Sequence, residues 1–450
     1  MRAGLSTTEA VDIKSGRLTG DEYRRNFSEM HPPLGQTAAL VEAGRCYFCY
    51  DAPCTNACPT GIDVAGFIRM IAAGNNTGAA RLILQENIMG GTCARVCPTE
   101  TLCEQACVRQ EQDHRPVSIG LLQRHAVDSV ISTAKQFFTR LPETGKRIAV
   151  IGAGPASLSC AHGLARAGHS VTIFEAREKA GGLNEYGLAA YKMLDNFSSR
   201  EVDYVLGIGG VEIQYGKHLG IDLQLSTLIQ DYDAVFLGIG LSQVNNLGLE
   251  GEDLEAVMDA VDYIAQLRQS ERFADLPVGR RVVVIGGGMT AIDMASQIRL
   301  LGADEVTLIY RRNQESMNAS AEEQEFAQVK GIKIRHNAKP HRLIASGGHI
   351  QAVEFETTQT QSDGCLTGTG EYFTLAADMV FKAIGQVFDA TSVANLTLDK
   401  NRIQVDDQRR TSLAGVWAGG DCVSDGEDLT VAAVQDGKLA AKSINDYLRK

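Results

Sequence analysis

The 450-residue chain lacks features that would assign it to several common classes of protein. Its 43 basic residues are outnumbered by 55 acidic ones, and the net charge of −12 argues against a nucleic-acid binder that neutralises phosphates. No apolar run approaches the roughly 18 residues of a membrane span, and the N-terminus has no apolar core like that of a signal peptide. We therefore expect a cytoplasmic protein that binds neither nucleic acid nor membrane.

The chain beyond residue 107 also lacks a CxxC pair. Cys160, Cys365 and Cys422 are isolated in the sequence, whereas disulfide-reductase chemistry needs two thiols poised together. We expect these three thiols to be small buried apolar side chains without a redox role.

Cysteine is instead concentrated in one stretch of the chain. Eight of the 11 cysteines fall between Cys46 and Cys107. Thiols stay reduced in the cytosol, so a clustered set indicates metal ligands more readily than disulfides. Only one CxxC, Cys46–Cys49, occurs in this stretch, whereas zinc ribbons use two. The pattern therefore favours iron–sulfur ligation over structural zinc or disulfides.

The cysteine spacing resembles that of two-cluster ferredoxins, in which a fourth cysteine before a proline ligates the other cluster. That logic predicts two [4Fe–4S] clusters. The ligands of the first would be Cys46, Cys49, Cys54 and Cys107. Three cysteines remain for the second, namely Cys58, Cys97 and Cys103. From chemistry alone, Cys93 is the obvious candidate for its fourth ligand.

A strand pattern at Arg147–Gly152 opens a first dinucleotide-binding motif. Its first glycine permits a tight turn, its second lets the backbone approach a pyrophosphate, and the following helix supplies partial positive charge. A second strand ends at Glu175, 23 residues after the first glycine, where a carboxylate can bind ribose hydroxyls. The predicted contacts of this motif are Gly152, Gly154, Pro155, Ala156, Ser157 and Glu175.

A second motif of the same kind follows the strand pattern at Arg281–Gly286. Its next strand ends in Arg311 and Arg312 rather than in an acid, and a guanidinium can pair with a 2′-phosphate. This favours NADPH over NADH, although an exposed basic turn is the alternative. The predicted contacts are Gly286, Gly288, Met289, Thr290, Asp293, Arg311 and Arg312.

The C-terminal segment Gly415–Asp421, followed by Thr430–Gly437, resembles the closing motif of flavoproteins with two dinucleotide-binding domains. The resemblance implies that FAD occupies the first motif. It also implies further FAD contacts at Gly182, Leu183, Gly385, Gly420, Asp421, Thr430 and Val431. We expect an α/β fold: a helical iron–sulfur domain over 1–140, a discontinuous FAD domain over 147–260 plus 380–450, and an NAD(P)H domain over 261–379.

The whole chain resembles a known family through Ala52–Cys54 and Pro116–Arg124 in the cysteine-rich block. It is similar to the N-terminal part of dihydropyrimidine dehydrogenase and, more closely, to the separate PreT-type flavoprotein subunit of the bacterial enzyme. The resemblance implies that Gln123 is the fourth ligand of the second cluster and that Cys93 is not a ligand. Related glutamate synthase small subunits typically carry Glu at that place.

The resemblance implies an electron-input subunit. It would oxidise NAD(P)H at FAD and pass electrons through two [4Fe–4S] clusters to a partner FMN-containing subunit that reduces uracil and thymine. No room remains in the chain for the pyrimidine-reducing barrel of about 250 residues. The alternatives are the small subunit of glutamate synthase, another NAD(P)H:ferredoxin-type flavoprotein, or a zinc-stapled interaction module.

Overall fold

The computed structural model describes residues 18–133 and 135–449, which form two compact units. The larger unit contains residues 29–133, 135–185, 192–243 and 387–449, and the smaller contains 18–28, 186–191 and 244–386. Among the helices in these ranges, none combines the length and apolarity needed to cross a bilayer.

Between residues 18 and 133 the described chain is helical and has no β-strand. Its helices are α1 Gly20–Asn26, α2 Gln36–Ala43, α3 Pro53–Asn56, α4 Val64–Ala72, α5 Asn76–Glu86, α6 Gly90–Val96, α7 Val108–Asp113 and α8 Ile119–Ile131, with a 3₁₀ turn at Thr99–Thr101. Helix α4 shows why such helices pack: Asp63 caps its first turn, and Phe67 and Ile71 are buried on one face. Helices α4, α5 and α6 pack against α8.

The larger unit continues as alternating strands and helices. These are β1 Arg147–Ile151, α9 Pro155–Arg166, β2 Ser170–Glu175, α10 Leu183–Tyr186, α11 Phe197–Leu206, β3 Val211–Tyr215, α12 Leu225–Asp231 and β4 Ala234–Leu237. Together with a later strand, Val416–Ala418, they build one parallel sheet. Because β1 pairs with both β2 and β4, the strand order reverses at β1. A dinucleotide is expected at the carboxyl ends of the strands beside such a reversal.

The smaller unit holds a second parallel sheet and an antiparallel one. The two-residue strand β5 Gln243–Val244 lies at its first boundary and β14 Gln386–Val387 at its last. Between them are β6 Val257–Asp259, α13 Ala260–Gln269, β7 Arg281–Gly286, α14 Met289–Leu300, β8 Glu305–Ile309, α15 Ala321–Val329, β9 Lys333–Arg335, β10 Ala338–Ser346, β11 His349–Thr360, β12 Leu366–Ala376 and β13 Met379–Ala383, with 3₁₀ turns at Phe273–Asp275 and Gln314–Ser316. The parallel sheet has the order β6-β13-β7-β8-β9, and β10, β11 and β12 form the antiparallel sheet.

The chain then returns to the larger unit. Its last elements are a 3₁₀ turn at Thr391–Val393, β15 Leu398–Asp399, β16 Arg402–Ile403, β17 Val416–Ala418 and α16 Thr430–Leu448. Strand β17 pairs with β4, so the first sheet has the order β17-β4-β1-β2-β3. Val235, Leu237 and Val416 belong to an apolar core that this sheet buries.

The expected boundaries at 260/261 and 379/380 differ from the division of the structure. Strands β6 and β13 lie next to each other in the second sheet, and β13 also pairs with β7. Both strands therefore belong to the same sheet as β7, the strand that leads into the second glycine motif. The division falls at 243/244 and 386/387 instead.

Candidate functional site

The first glycine loop depends on Gly152, which has a φ of +87°. A Cβ atom at this position would lie 2.4 Å from the carbonyl oxygen of Gly238, just beyond β4. Both the positive φ and the close backbone approach therefore require glycine. The loop leads into α9 through Gly154, with Pro155 as the first helical residue. Proline is favoured at that position because its missing N–H would have no partner there.

Glu175, at the end of β2, holds this loop in place. Its carboxylate accepts hydrogen bonds from the backbone N–H groups of Ala153, at 2.7 Å, and Arg177, at 2.8 Å. The side chain is buried. The acid predicted to bind ribose therefore already organises the backbone next to Gly152, and its contact with the cofactor stays a prediction.

The segment at Gly181–Gly182 packs directly on the first loop. A Cβ atom on Gly182 would lie 2.7 Å from Cα of Gly154, and the N–H of Gly181 donates to the carbonyl of Ala153 at 2.8 Å. Farther along, the hydroxyl of Thr430 donates to Oδ1 of Asn184 at 3.0 Å. The structure thus brings together residues of three motifs that are far apart in the sequence.

Asp421 follows β17 and completes this group. Burial, together with the nearby charge of Asp428, raises the pKa of Asp421 to about 7. Its neighbour Gly420 approaches the start of α9, because a Cβ there would lie 3.2 Å from Cβ of Ala156. A helix N-terminus and a carboxyl group that is largely neutral below pH 7 fit the pyrophosphate of FAD, because neither repels an anion strongly.

The remaining predicted FAD contacts are distributed unevenly. Ser157 and Val431 are buried in the larger unit, and Leu183 is exposed there. Gly385 lies in the smaller unit, where the side-chain amide of Asn245 donates to its carbonyl oxygen at 3.2 Å. A role of Gly385 in binding FAD stays a prediction.

The second glycine loop has the same backbone requirement as the first. A Cβ atom on Gly286 would lie 2.2 Å from the carbonyl oxygen of Ala383, at the end of the neighbouring strand β13. Gly287 lies against the ring of Tyr310, which follows β8. Helix α14 begins at Met289, after Gly288. The positive end of a helix therefore faces the loop, as nucleotide binding requires.

The charged residues around the second loop differ in their surroundings. Arg311 is exposed and Arg312 is partly exposed just beyond β8, and Thr290 is partly exposed in the first turn of α14. Asp293 is buried and accepts a hydrogen bond from the hydroxyl of Tyr191 at 2.8 Å. This bond gives Asp293 a packing role within the smaller unit, and its predicted contact with a nucleotide stays a prediction.

Four cysteines predicted to share the first cluster are electrostatic neighbours in the structure. Burial and the charges of Cys107 and Cys49 raise the pKa of Cys46. Burial and the charges of Cys107 and Cys46 raise the pKa of Cys54 to about 11. Close thiols raise one another's pKa because neighbouring thiolates repel. Bound iron would offset this repulsion, because a thiol that coordinates a metal cation is deprotonated.

The second set of cysteines also forms a neighbourhood, and it includes Cys93. A hydrogen bond with Cys93, burial and the charges of Cys103 and Cys58 raise the pKa of Cys97. Cys103 has Cys58 and Cys54 among its neighbours, so the two sets adjoin. Within 18–133 and 135–449, no three His, Cys, Asp or Glu side chains converge tightly enough to hold a single metal ion.

Gln123 is buried on α8 rather than facing solvent. Its amide nitrogen donates to the carbonyl of Gly90 at 2.7 Å, which leaves the amide oxygen as the atom able to bind iron. Cys93 is also buried, and its sulfur accepts a hydrogen bond from Asn87 at 3.2 Å. The choice of Gln123 over Cys93 stays a prediction.

Sequence patterns did not identify Glu201, a fully buried carboxylate on α11. It accepts the N–H groups of Gly91, at 2.8 Å, and Thr92, at 3.0 Å, and also the Thr92 hydroxyl. Gly91 lets α6 approach closely, since a Cβ there would lie 2.4 Å from the ring of Phe197. Glu201 thus joins α11 to α6, the helix that carries Cys93. The glycine pair at 90 and 91 was the only signal of this contact in the sequence.

Comparisons with known proteins match two separate parts of the chain. Residues 146–437 match the family described as pyridine nucleotide-disulphide oxidoreductase. Residues 23–135 match the family described as dihydropyrimidine dehydrogenase domain II, 4Fe-4S cluster. The protein is therefore an oxidoreductase of the FAD-, NAD(P)- and iron–sulfur-containing class.

Similar proteins include the NAD-dependent dihydropyrimidine dehydrogenase subunit PreT homolog of Salmonella typhi, which is 34% identical over 94% of this chain and 98% of that protein. PreT of Escherichia coli K12 is 34% identical, covering 94% of this chain and 97% of its own. The glutamate synthase [NADPH] small chain of Escherichia coli K12 is 32% identical, covering 94% of each. The chain belongs to the family that contains these PreT subunits and the glutamate synthase small chain.

Solved structures with similar folds support the architecture alone. FprA of Mycobacterium tuberculosis in complex with NADPH has a TM-score of 0.58 at 18% identity, covering 69% of this chain and 85% of its own. Thioredoxin reductase of T. acidophilum has a TM-score of 0.52 at 22% identity, covering 68% and 100%.

Proposed function

We propose that this chain is the electron-input subunit of a dihydropyrimidine dehydrogenase. It oxidises NAD(P)H at FAD and passes electrons through two [4Fe–4S] clusters to a partner FMN-containing subunit that reduces uracil and thymine to their 5,6-dihydro forms. The observation that carries the proposal is similarity over 98% of a PreT relative. The buried amide of Gln123, which donates to Gly90 at the start of the helix that carries Cys93, supports it.

The residues of the larger unit suit a permanently held FAD. The start of α9 offers N–H groups to the pyrophosphate, Gly152 makes the tight turn before it, Glu175 fixes the loop, and Asp421 lies just beyond β17. When bound, FAD converts a hydride into single electrons, which one-electron carriers such as iron–sulfur clusters accept. The loop at Gly286–Gly288 offers its N–H groups to the nicotinamide nucleotide.

The cysteine sets suit two clusters that lie close together. Cys46, Cys49, Cys54 and Cys107 would hold the first, and Cys58, Cys97, Cys103 and Gln123 the second. Because Cys54 and Cys58 both neighbour Cys103, the two sites adjoin, which favours transfer of an electron from one to the other. A neutral amide ligand at Gln123 would leave the second cluster less negative than a carboxylate would, and this changes its potential.

The proposal is tested by purifying the chain alone and together with the protein that it captures in its native cell. We expect the chain alone to oxidise NAD(P)H with an artificial one-electron acceptor but not with uracil. Uracil should be reduced only by the complex, whose second chain should contain FMN. Uracil reduction by the chain alone at the rate of the complex would contradict the two-subunit proposal.

The second candidate function is that of a glutamate synthase small subunit. It is favoured by the 32% identity that covers 94% of both this chain and the glutamate synthase [NADPH] small chain. In that case the captured protein should support glutamate formation rather than uracil reduction. Gln123→Glu provides a matched probe, since a carboxylate ligand should shift the cluster spectrum and its potential, and unchanged spectra would contradict ligation by Gln123.

A further inference from the structure

Asn184 carries a hydrogen-bond donor that the described residues leave unused. Its side chain is fully buried, and its Oδ1 accepts the Thr430 hydroxyl at 3.0 Å. Its Nδ2 has no hydrogen-bond partner within 18–133 and 135–449. A buried amide donor without an acceptor is unfavourable, so such a group indicates a partner that the protein chain does not provide.

The surroundings of Asn184 point to the nature of that partner. It follows the Gly181–Gly182 segment, which packs directly on Gly154 of the first glycine loop. On its other side is Thr430, the first residue of the 19-residue helix α16. Both neighbours belong to the proposed FAD site, which is where a cofactor would provide the missing acceptor.

The order of the sheet indicates which part of FAD reaches Asn184. Glu175 at the end of β2 suits the adenosine ribose, and the loop after β1 suits the pyrophosphate. From β1 the sheet continues through β4 to β17. The flavin-containing half of FAD would extend in this direction, toward the helix that follows β17. That helix begins at Thr430, which holds Asn184.

We propose that the Nδ2 of Asn184 donates a hydrogen bond to an oxygen or nitrogen acceptor of the flavin ring, with Thr430 fixing the orientation of the amide. This inference rests on the proposed placement of FAD. A donor at the ring stabilises the reduced flavin, which is richer in electrons than the oxidised form. Asn184 therefore assists both FAD binding and flavin reduction.

The test compares three variants of the full chain, with FAD affinity and flavin potential as readouts. Asn184→Ala removes the donor, and we expect the FAD dissociation constant to rise about 10-fold. Asn184→Asp keeps the shape and the acceptor for Thr430 but places an oxygen where the donor was, so its effect should be larger. Thr430→Val frees the amide to rotate and should have a smaller effect.

The flavin readouts separate a ring contact from a merely structural role. In the Asn184 variants the flavin midpoint potential should become more negative and the flavin absorbance band should shift, while the iron–sulfur absorbance stays unchanged. Asn26→Asp is the matched control, because Asn26 donates its amide to Leu300 at 2.8 Å in the smaller unit. It should leave every flavin readout as in the wild type.

Two results would overturn the inference. One is an unchanged FAD affinity in Asn184→Asp, and the other is a weakened affinity with no change in flavin potential or absorbance. Both leave the proposed function intact, because the wild-type chain would still bind FAD. Wild-type protein without FAD would instead contradict the proposed function itself.

Discussion

The two glycine loops share a backbone design but differ at the end of the next strand. In each, the first glycine lies against the carbonyl oxygen of a neighbouring strand or its extension, Gly152 against Gly238 and Gly286 against Ala383. After β2, however, stands the buried carboxylate of Glu175, which accepts two N–H groups. After β8 stand Tyr310 and the exposed Arg311.

On the proposed function, this difference would separate FAD, a cofactor that stays bound, from NAD(P)H, a substrate that exchanges. The buried acid Glu175 accepts two N–H groups of its own loop and so keeps the first site organised. An exposed cation beyond the second loop attracts an anionic nucleotide and can release it, because solvent screens an exposed charge. The same loop geometry would then serve one ligand that stays bound and one that is released.

Alanine at the first glycine of either loop should have the largest effect, since both loops need the same backbone approach. Gly152→Ala and Gly286→Ala should each destabilise the cofactor-free protein by roughly 3–5 kcal/mol, from strain and overpacking. The controls are Gly154→Ala, where a Cβ meets nothing closer than 3.9 Å, and Gly288→Ala, where it meets nothing within 4 Å. Urea unfolding measures the difference, and equal stability of Gly152→Ala and Gly154→Ala would refute the explanation.

Glu175→Gln tests what distinguishes the first loop. The amide keeps one acceptor oxygen but loses the charge that holds two N–H groups, so the FAD dissociation constant should rise about 10- to 30-fold. The counterpart is Tyr310→Phe, which removes a hydroxyl bonded to the Ser316 carbonyl at 2.6 Å beside the second loop. It should change NAD(P)H affinity less than about 3-fold. Both affinities are measured by titrating the apoprotein. An equal loss of FAD affinity in Glu175→Gln and of NAD(P)H affinity in Tyr310→Phe would contradict the difference between the two loops.

Arg311→Ala and Arg312→Ala test the cation beyond the second loop. If a guanidinium pairs with a 2′-phosphate, the preference for NADPH over NADH should fall about 10-fold in at least one variant. FAD content should not change. Steady-state kinetics with both nucleotides measure the preference, and an unchanged ratio in both variants would exclude the 2′-phosphate role. The PreT relatives are named as NAD-dependent and the glutamate synthase small chain as NADPH-dependent, so the experiment also discriminates between these precedents.

The smallest expected effect is a pH dependence confined to the first site. Because the pKa of Asp421 is raised to about 7 by burial and by Asp428, its carboxyl is neutral below that pH and negative above it. The negative form repels the FAD pyrophosphate, so FAD affinity should fall about 3-fold as the pH rises through 7. Asp421→Asn should remove this dependence. A flat wild-type profile, measured by titrating apoprotein with FAD, would contradict it.

Local sequence patterns predicted much of the parallel-sheet framework. Strands β1 and β7 lie within one residue of the patterns at Arg147–Gly152 and Arg281–Gly286, and β2 ends at Glu175 as expected, because apolar runs ended by glycine or charge carry their own signal. The helix expected after the first glycine motif is α9, which begins at Pro155, where proline suits the first turn.

Contacts between distant residues could not be predicted in this way. Glu201 meets Gly91 across 110 positions, and Asn184 meets Thr430 across 246. Such pairs depend on how elements pack, and neither residue carries a periodic or capping pattern that indicates its partner. The antiparallel sheet of β10, β11 and β12 was missed for a related reason, since most of β12 is exposed and gives little apolar alternation.

The hydrogen bonds from Gly91 and Thr92 to Glu201 have a consequence for redesigning the molecule. A fragment that begins after residue 140 would keep this carboxylate but lose Gly91 and Thr92, its hydrogen-bond donors. The cysteine-rich part is therefore tied by hydrogen bonds to a helix of the dinucleotide-binding part. A chimera that borrows another protein's iron–sulfur domain should fold and conduct electrons only if the glycine, the threonine and the glutamate are transplanted as a matched set.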